Sequence, residues 1–122
     1  MLIFEKDEKA GLIEFTVDGA IARSEFDATV AATEDMLTRH EKLNAIGIVH
    51  GFDGMDLSVW WADLNWGVRH RSRFGRMAVV TDIGWIAQAS KLSAFVSPAQ
   101  VRVFPVAELE AARAWVKGVP TE

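Results

Sequence analysis

The chain contains no cysteine. Disulfides, thiolate metal sites and cysteine nucleophiles are therefore excluded together, and redox chemistry leaves no mark of the compartment. Basic charge is also in deficit: 13 Lys and Arg stand against 17 Asp and Glu, a formal charge of −4. A general duplex binder needs a basic face to displace counterions, so no nucleic-acid partner is expected. Long apolar runs are missing as well. Residues 83–101 carry one charge, Lys91, but Gln88, Ser90, Ser93, Ser97, Pro98 and Gln100 make the stretch too polar to span a bilayer. Met1-Leu2-Ile3-Phe4-Glu5 turns acidic after a short apolar segment, unlike a signal peptide. The expectation is a cytoplasmic protein, with peripheral membrane association left open. His40, His50 and His70 form no His-x-x-x-His or Glu-x-x-His pattern, and no Gly-x-Gly-x-x-Gly or phosphate loop occurs. Neither a metal nor a cofactor is expected.

What is present is an ordinary globular composition, half apolar and one quarter charged over 122 residues, enough for one domain spanning 1–122. Leu2–Glu5 and Gly11–Val17 read as two strands joined by the charged turn Lys6-Asp7-Glu8-Lys9. Ser24 is the expected N-cap of a first helix, with Asp27 three residues on, and Phe26, Val30, Thr33 and Leu37 recur at helical spacing to about His40. Asn44–His50 and Arg76–Thr81 are nearly continuous apolar runs of strand length, the pattern of strands buried on both faces. Asp56 and Asp82 are expected to cap the helices that follow them, and Ser97-Pro98 stops the second of these near Val96. Val101–Phe104 is a last strand, and a final helix runs from Pro105 through Trp115. The order is ββαβαβαβα. An opening hairpin with right-handed strand–helix–strand units after it gives an α/β fold with a single mixed sheet and helices packed on it.

The densest feature is 57–68, where Trp60, Trp61 and Trp66 fall within seven residues. At about 100° per residue, Leu57, Trp60, Trp61, Leu64 and Val68 share one stripe, which suits a core-facing helix. Met55, Val59, Ala62 and Trp66 make a second, narrower stripe. A surface helix of a small domain has a polar face there, so this stripe calls for a cover. The Trp85 helix has the same lack: Trp85, Ala89, Leu92 and Val96 form its core stripe, with Ile83, Ile86 and Phe95 distributed over the rest. Next to the tryptophan segment lies Arg69-His70-Arg71-Ser72-Arg73-Phe74-Gly75-Arg76, whose four arginines leave the remainder of the chain at about −8.

Trp61-Ala62-Asp63, Arg76-Met77-Ala78-Val79-Val80-Thr81-Asp82 with Trp85, Phe95, Val103-Phe104 and Ala114-Trp115 resemble the SpoIIAA-like family of small bacterial proteins, over nearly the whole chain. The element order is similar to that of the STAS domain of anti-sigma-factor antagonists. For true antagonists the resemblance implies a phosphoacceptor serine in an Asp-Ser-Ser-Gly loop. The matching loop here is Asp53-Gly54-Met55-Asp56, which has none, and Ser58 reads as a residue of the helix start. Within the SpoIIAA-like family the resemblance implies a mobile helix pair that holds a lipophilic ligand or touches membrane. The sheet is analogous to that of CRAL-TRIO lipid carriers, an analogy of fold alone.

Two function classes follow. The first is a non-enzymatic binding protein for a small lipophilic ligand or an anionic membrane surface. Met55, Val59, Trp66, Trp85, Ile86 and Phe95 would make the apolar contacts, and Arg69, His70, Arg71 and Arg73 would attract an anionic group. The second is a STAS-type interaction module without the phosphoacceptor, whose partner, or a second copy in a homodimer, covers the outer stripe. His50, Asp53 and Asp82 are the best catalytic candidates, near strand ends where open α/β sheets bind ligands. Turn and cap roles explain the two aspartates as well, and no enzyme activity is expected.

Overall fold

The computed structural model describes residues 1–54, 66, 69–93 and 100–118, the side chains of 71, 92 and 93 excepted. Five strands form one sheet in sequential order: β1 (Leu2–Asp7), β2 (Leu12–Val17), β3 (Leu43–Val49), β4 (Phe74–Thr81) and β5 (Gln100–Phe104). β1 is antiparallel to β2, and each later neighbour is parallel. Helices α1 (Arg23–Leu37), α2 (Gly84–Ser93) and α3 (Leu109–Val116) accompany them, with 3₁₀ turns at Arg71–Arg73 and Val106–Glu108. The sheet is thus the mixed one that the sequence pattern predicts.

Alternation within the strands gives the sheet two apolar faces. Ile13, Leu43, Ala45 and Phe74 meet Met36 and Leu37 of α1, with Phe4, Phe15, Trp66 and Met77 packed against them. Leu12, Ile46, Ile48, Ala78, Val80 and Phe104 meet Ala112 and Val116 of α3 on the other side. Covered on both sides, β3 and β4 have no wet face, which is why their sequences do not alternate. Strand order advances in one direction from β2 to β5, so right-handed crossovers place α1 and α2 on the same face. A Cβ on Gly47 would lie 2.9 Å from Cε2 of Phe15, its register partner on β2. The missing side chain is what lets the Phe15 ring lie across the neighbouring strand.

Helix boundaries depart from expectation at their starts. The N-cap of α1 is Ala22 in place of Ser24, because Glu25 Oε1 accepts the Ala22 N–H at 3.0 Å and sets the first turn earlier. Asp82 does not spend its carboxylate on its own helix. Its Oδ1 accepts the Val106 N–H at 3.1 Å, which joins the ends of β4 and β5. α3 is anchored across the sheet: Asn44 Nδ2 donates to the Val116 carbonyl (3.1 Å) while its Oδ1 accepts the Arg76 N–H (2.8 Å). Arg76 adds a bond to the Trp115 carbonyl at 2.6 Å with its guanidinium 5.3 Å from the indole centroid. These contacts satisfy carbonyls that the end of a helix leaves without partners.

Candidate functional site

The carboxyl ends of three parallel strands are in register: Val17 pairs with Val49, and Val49 with Thr81. The next residues, Asp18, His50 and Asp82, are all exposed along this edge. Backbone pairing continues past the strands, with His50 N–H to the Val17 carbonyl (2.9 Å), Gly19 N–H to that of Gly51 (3.0 Å), Asp53 N–H to that of Gly19 (3.0 Å) and Ile21 N–H to that of Gly54 (3.1 Å). Gly19 and Gly54 adopt φ of +86° and +101°, the left-handed region that glycine enters without strain. Buried Thr81 donates its hydroxyl to the Val49 carbonyl at 2.9 Å and accepts the Ile83 N–H at 3.1 Å. The turn into α2 is thereby locked to the end of β3.

This scaffold holds an aromatic pair. The Phe52 and Trp85 rings lie 5.8 Å apart at 59°, Phe52 half-buried and Trp85 59% exposed. Trp85 is not part of the buried stripe of α2, and Ala89 is exposed as well; Ile86, Ala87 and Ser90 are the partly covered positions. α2 thus turns Ile86, Ala87 and Ser90 inward and leaves Trp85 outward. An aromatic side chain with its face uncovered is a ready contact for an apolar group. Asp18, Asp53, Asp82 and His50 surround the edge as exposed polar groups, and among the described residues no cluster of three or more His, Cys, Asp or Glu is placed to hold a metal ion.

The other proposed contacts separate into distinct places. Trp66 is helical and half-buried, and its ring faces the core instead of forming an outer stripe. Its Nε1–H donates to Glu34 Oε1 of α1 at 2.8 Å, and its ring makes an edge contact with Phe74 at 5.8 Å. His70 stacks on the same indole at 4.3 Å and donates Nδ1–H to the Trp66 carbonyl at 2.8 Å. Arg73 is engaged too: its Nε–H donates to the Glu41 carbonyl (2.7 Å) and its terminal N–H groups to those of Leu37 (2.8 Å) and His40 (3.1 Å). It caps α1, which has no basic residue in its last turn. Neither His70 nor Arg73 is therefore a free headgroup cation. Arg69 is exposed. Met55, Val59, Phe95 and the side chain of Arg71 lie outside the described residues, as do Asp56 and the stripe Leu57, Trp60, Trp61, Leu64 and Val68.

Sequence reasoning missed Phe52, since one aromatic in a Gly-Phe-Asp-Gly loop shows no periodicity. The in-register strand ends that bring it to Trp85 are a property of the sheet.

A mixed five-stranded sheet with helices on both faces and an exposed aromatic corner at its carboxyl edge defines an α/β domain of the STAS-like type. The chain belongs to the SpoIIAA-like family, whose model matches residues 12–117. It is also similar to a solved structure, an uncharacterized protein from the DUF3478 family with a SpoIIAA-like fold from Shewanella loihica PV-4. The two share 19% identity over 95% of this chain and 92% of that one, with a TM-score of 0.76, a likeness of fold. No curated protein matches the chain. Among the described residues no helix is long and apolar enough to cross a membrane.

Proposed function

We propose that this protein is a non-enzymatic binding protein for a small lipophilic ligand, received at the Phe52–Trp85 corner. One observation carries the reading: Trp85 is 59% exposed beside Phe52 at the carboxyl edge of the sheet. Uncovered apolar area of this kind gains free energy when an apolar molecule displaces its water, at about 25 cal/mol per Å². The site moves away from Trp66, whose indole is committed to Glu34 and Phe74. It also moves from membrane toward small molecule, because His70 and Arg73 are tied to carbonyl groups. Titration with anilinonaphthalene sulfonate tests it. Trp85→Ala is expected to weaken probe binding about tenfold, a loss of about 1.4 kcal/mol. Equal binding by folded Trp85→Ala would overturn the reading.

A second reading is favoured by the exposed acids Asp18, Asp53 and Asp82 around the same corner. An aromatic centre with a polar rim is the anatomy of a protein interface, and the loop after β3 is where the resemblance to antagonists locates their partner-controlling serine. In this reading the corner docks a regulatory partner protein. Trp85→Asp would then abolish recovery of a specific partner in a pull-down, and recovery unaffected by it would exclude this surface.

A further inference from the structure

β1 is an edge strand, and its pairing phase fixes which of its amides face outward. Met1 and Asp18 exchange both main-chain bonds, Asp18 N–H to the Met1 carbonyl at 2.9 Å and the Met1 amine to the Asp18 carbonyl at 2.8 Å. Antiparallel pairs of this kind alternate with pairs that direct their groups outward. Leu2, Phe4 and Lys6 therefore turn N–H and C=O away from β2. A side chain already holds the first of these donors: Glu25 Oε2 accepts the Leu2 N–H at 3.0 Å, while Oε1 accepts Ala22 at the start of α1. Beside that carboxylate runs an open cleft of about 430 Å³ lined by Leu2, Ile3, Phe4, Ser24, Glu25 and Ala28. Ile3, on the opposite face of the strand, is 52% exposed.

We propose that β1 is a docking edge for a second copy of this chain, added antiparallel about Ile3, and that Glu25 is the latch that keeps it closed. A two-fold axis normal to the sheet keeps like faces aligned, so residues of equal parity meet across the seam. Centred on Ile3, the pairing sets Ile3 against Ile3 and Leu2 against Phe4 on both sides of the axis. Every residue from Leu2 to Phe4 then meets an apolar partner, and the outward groups of Leu2 and Phe4 bond across the seam. Centring on Phe4 sets Ile3 against Glu5 and Leu2 against Lys6. Centring on Glu5 opposes two like charges, which is unfavourable. The Ile3 register is the self-complementary one, and it needs the Leu2 N–H. Glu25 and a second copy compete for that one donor. Guarding an edge with an acidic side chain is a recognised way to prevent strand addition.

The test is sedimentation equilibrium on the full chain, and it is independent of the Trp85 site. Ala22 has the extended backbone of an N-cap, φ −82° and ψ 151°, so Ala22→Ser restores a cap when Glu25 is removed. The A22S/E25A variant is expected to dimerise at least about tenfold more tightly than wild type, and adding Ile3→Lys is expected to return it to monomer. Glu25→Gln, with one acceptor oxygen where the carboxylate has two, shifts the equilibrium the same way by less. A folded A22S/E25A that self-associates no more than wild type would overturn the proposal and leave the cleft to an extended segment of another protein. So would a dimer that survives Ile3→Lys.

Discussion

Arg73 shows how a residue's role depends on what folds next to it. As sequence it is one cation in a run of four arginines, with the look of an electrostatic patch. In the fold its guanidinium closes the end of α1 through three carbonyls, those of Leu37, His40 and Glu41. Hydrogen bonds from a charged donor are worth more than neutral ones, so Arg73→Ala is expected to lower stability in urea denaturation by about 1.5–3 kcal/mol. Arg73→Lys should recover part of this, because a point charge replaces a planar fork. An unchanged midpoint in Arg73→Ala would return the side chain to the pool of free surface cations. Trp66 was equally illegible. Helical periodicity assigns it to a stripe, but the acceptor Glu34 lies 32 residues away, and no local pattern encodes that distance.

Elements are joined at α1 by carboxylates, and acid is expected to separate those joints first. Glu25 ties α1 to β1, and its pKa lies below the ordinary glutamate range because the Ala22 and Leu2 amides bond its charged form. Glu8 is lowered by its hydrogen bond to Arg39, which links the β1–β2 turn to the end of α1; Asp35 is lowered by Arg39 as well. A carboxyl whose pKa is depressed by folding contributes stability that is complete above its unfolded value. The contribution is lost as pH falls through the folded value. The window therefore opens near pH 4, the ordinary carboxyl range, and extends downward. Hydrogen exchange across it should show β1 and α1 losing protection before β3 and β4, whose contacts are apolar on both faces. Uniform loss across the sheet would contradict this order. The strands themselves were legible, since alternation and apolar runs report burial directly. Helix starts were not. Glu25 gives one oxygen to nearby Ala22 but the other to Leu2, 23 residues distant, and Asp82 bonds Val106, 24 residues distant, partners that local capping rules do not reach.

At the scale of the whole molecule, the antiparallel opening hairpin and the parallel pairing of the later strands were legible in the order of elements, as strand–helix–strand units require. The site was not. Its two aromatics, Phe52 and Trp85, come from separate strand–helix connections and meet because Val17, Val49 and Thr81 end in register. The expected Trp66 centre lies instead in the α1 face of the core, and Trp85 remains as the exposed contact. The decisive measurement is fluorine NMR of the chain labelled with 5-fluorotryptophan, with Trp85 assigned by substitution and decanoate added below its micellar concentration. The Trp85 resonance is predicted to shift in a saturable manner while that of Trp66 stays in place. A Trp85 resonance unmoved at saturating decanoate would contradict the assignment of lipophilic binding to this corner.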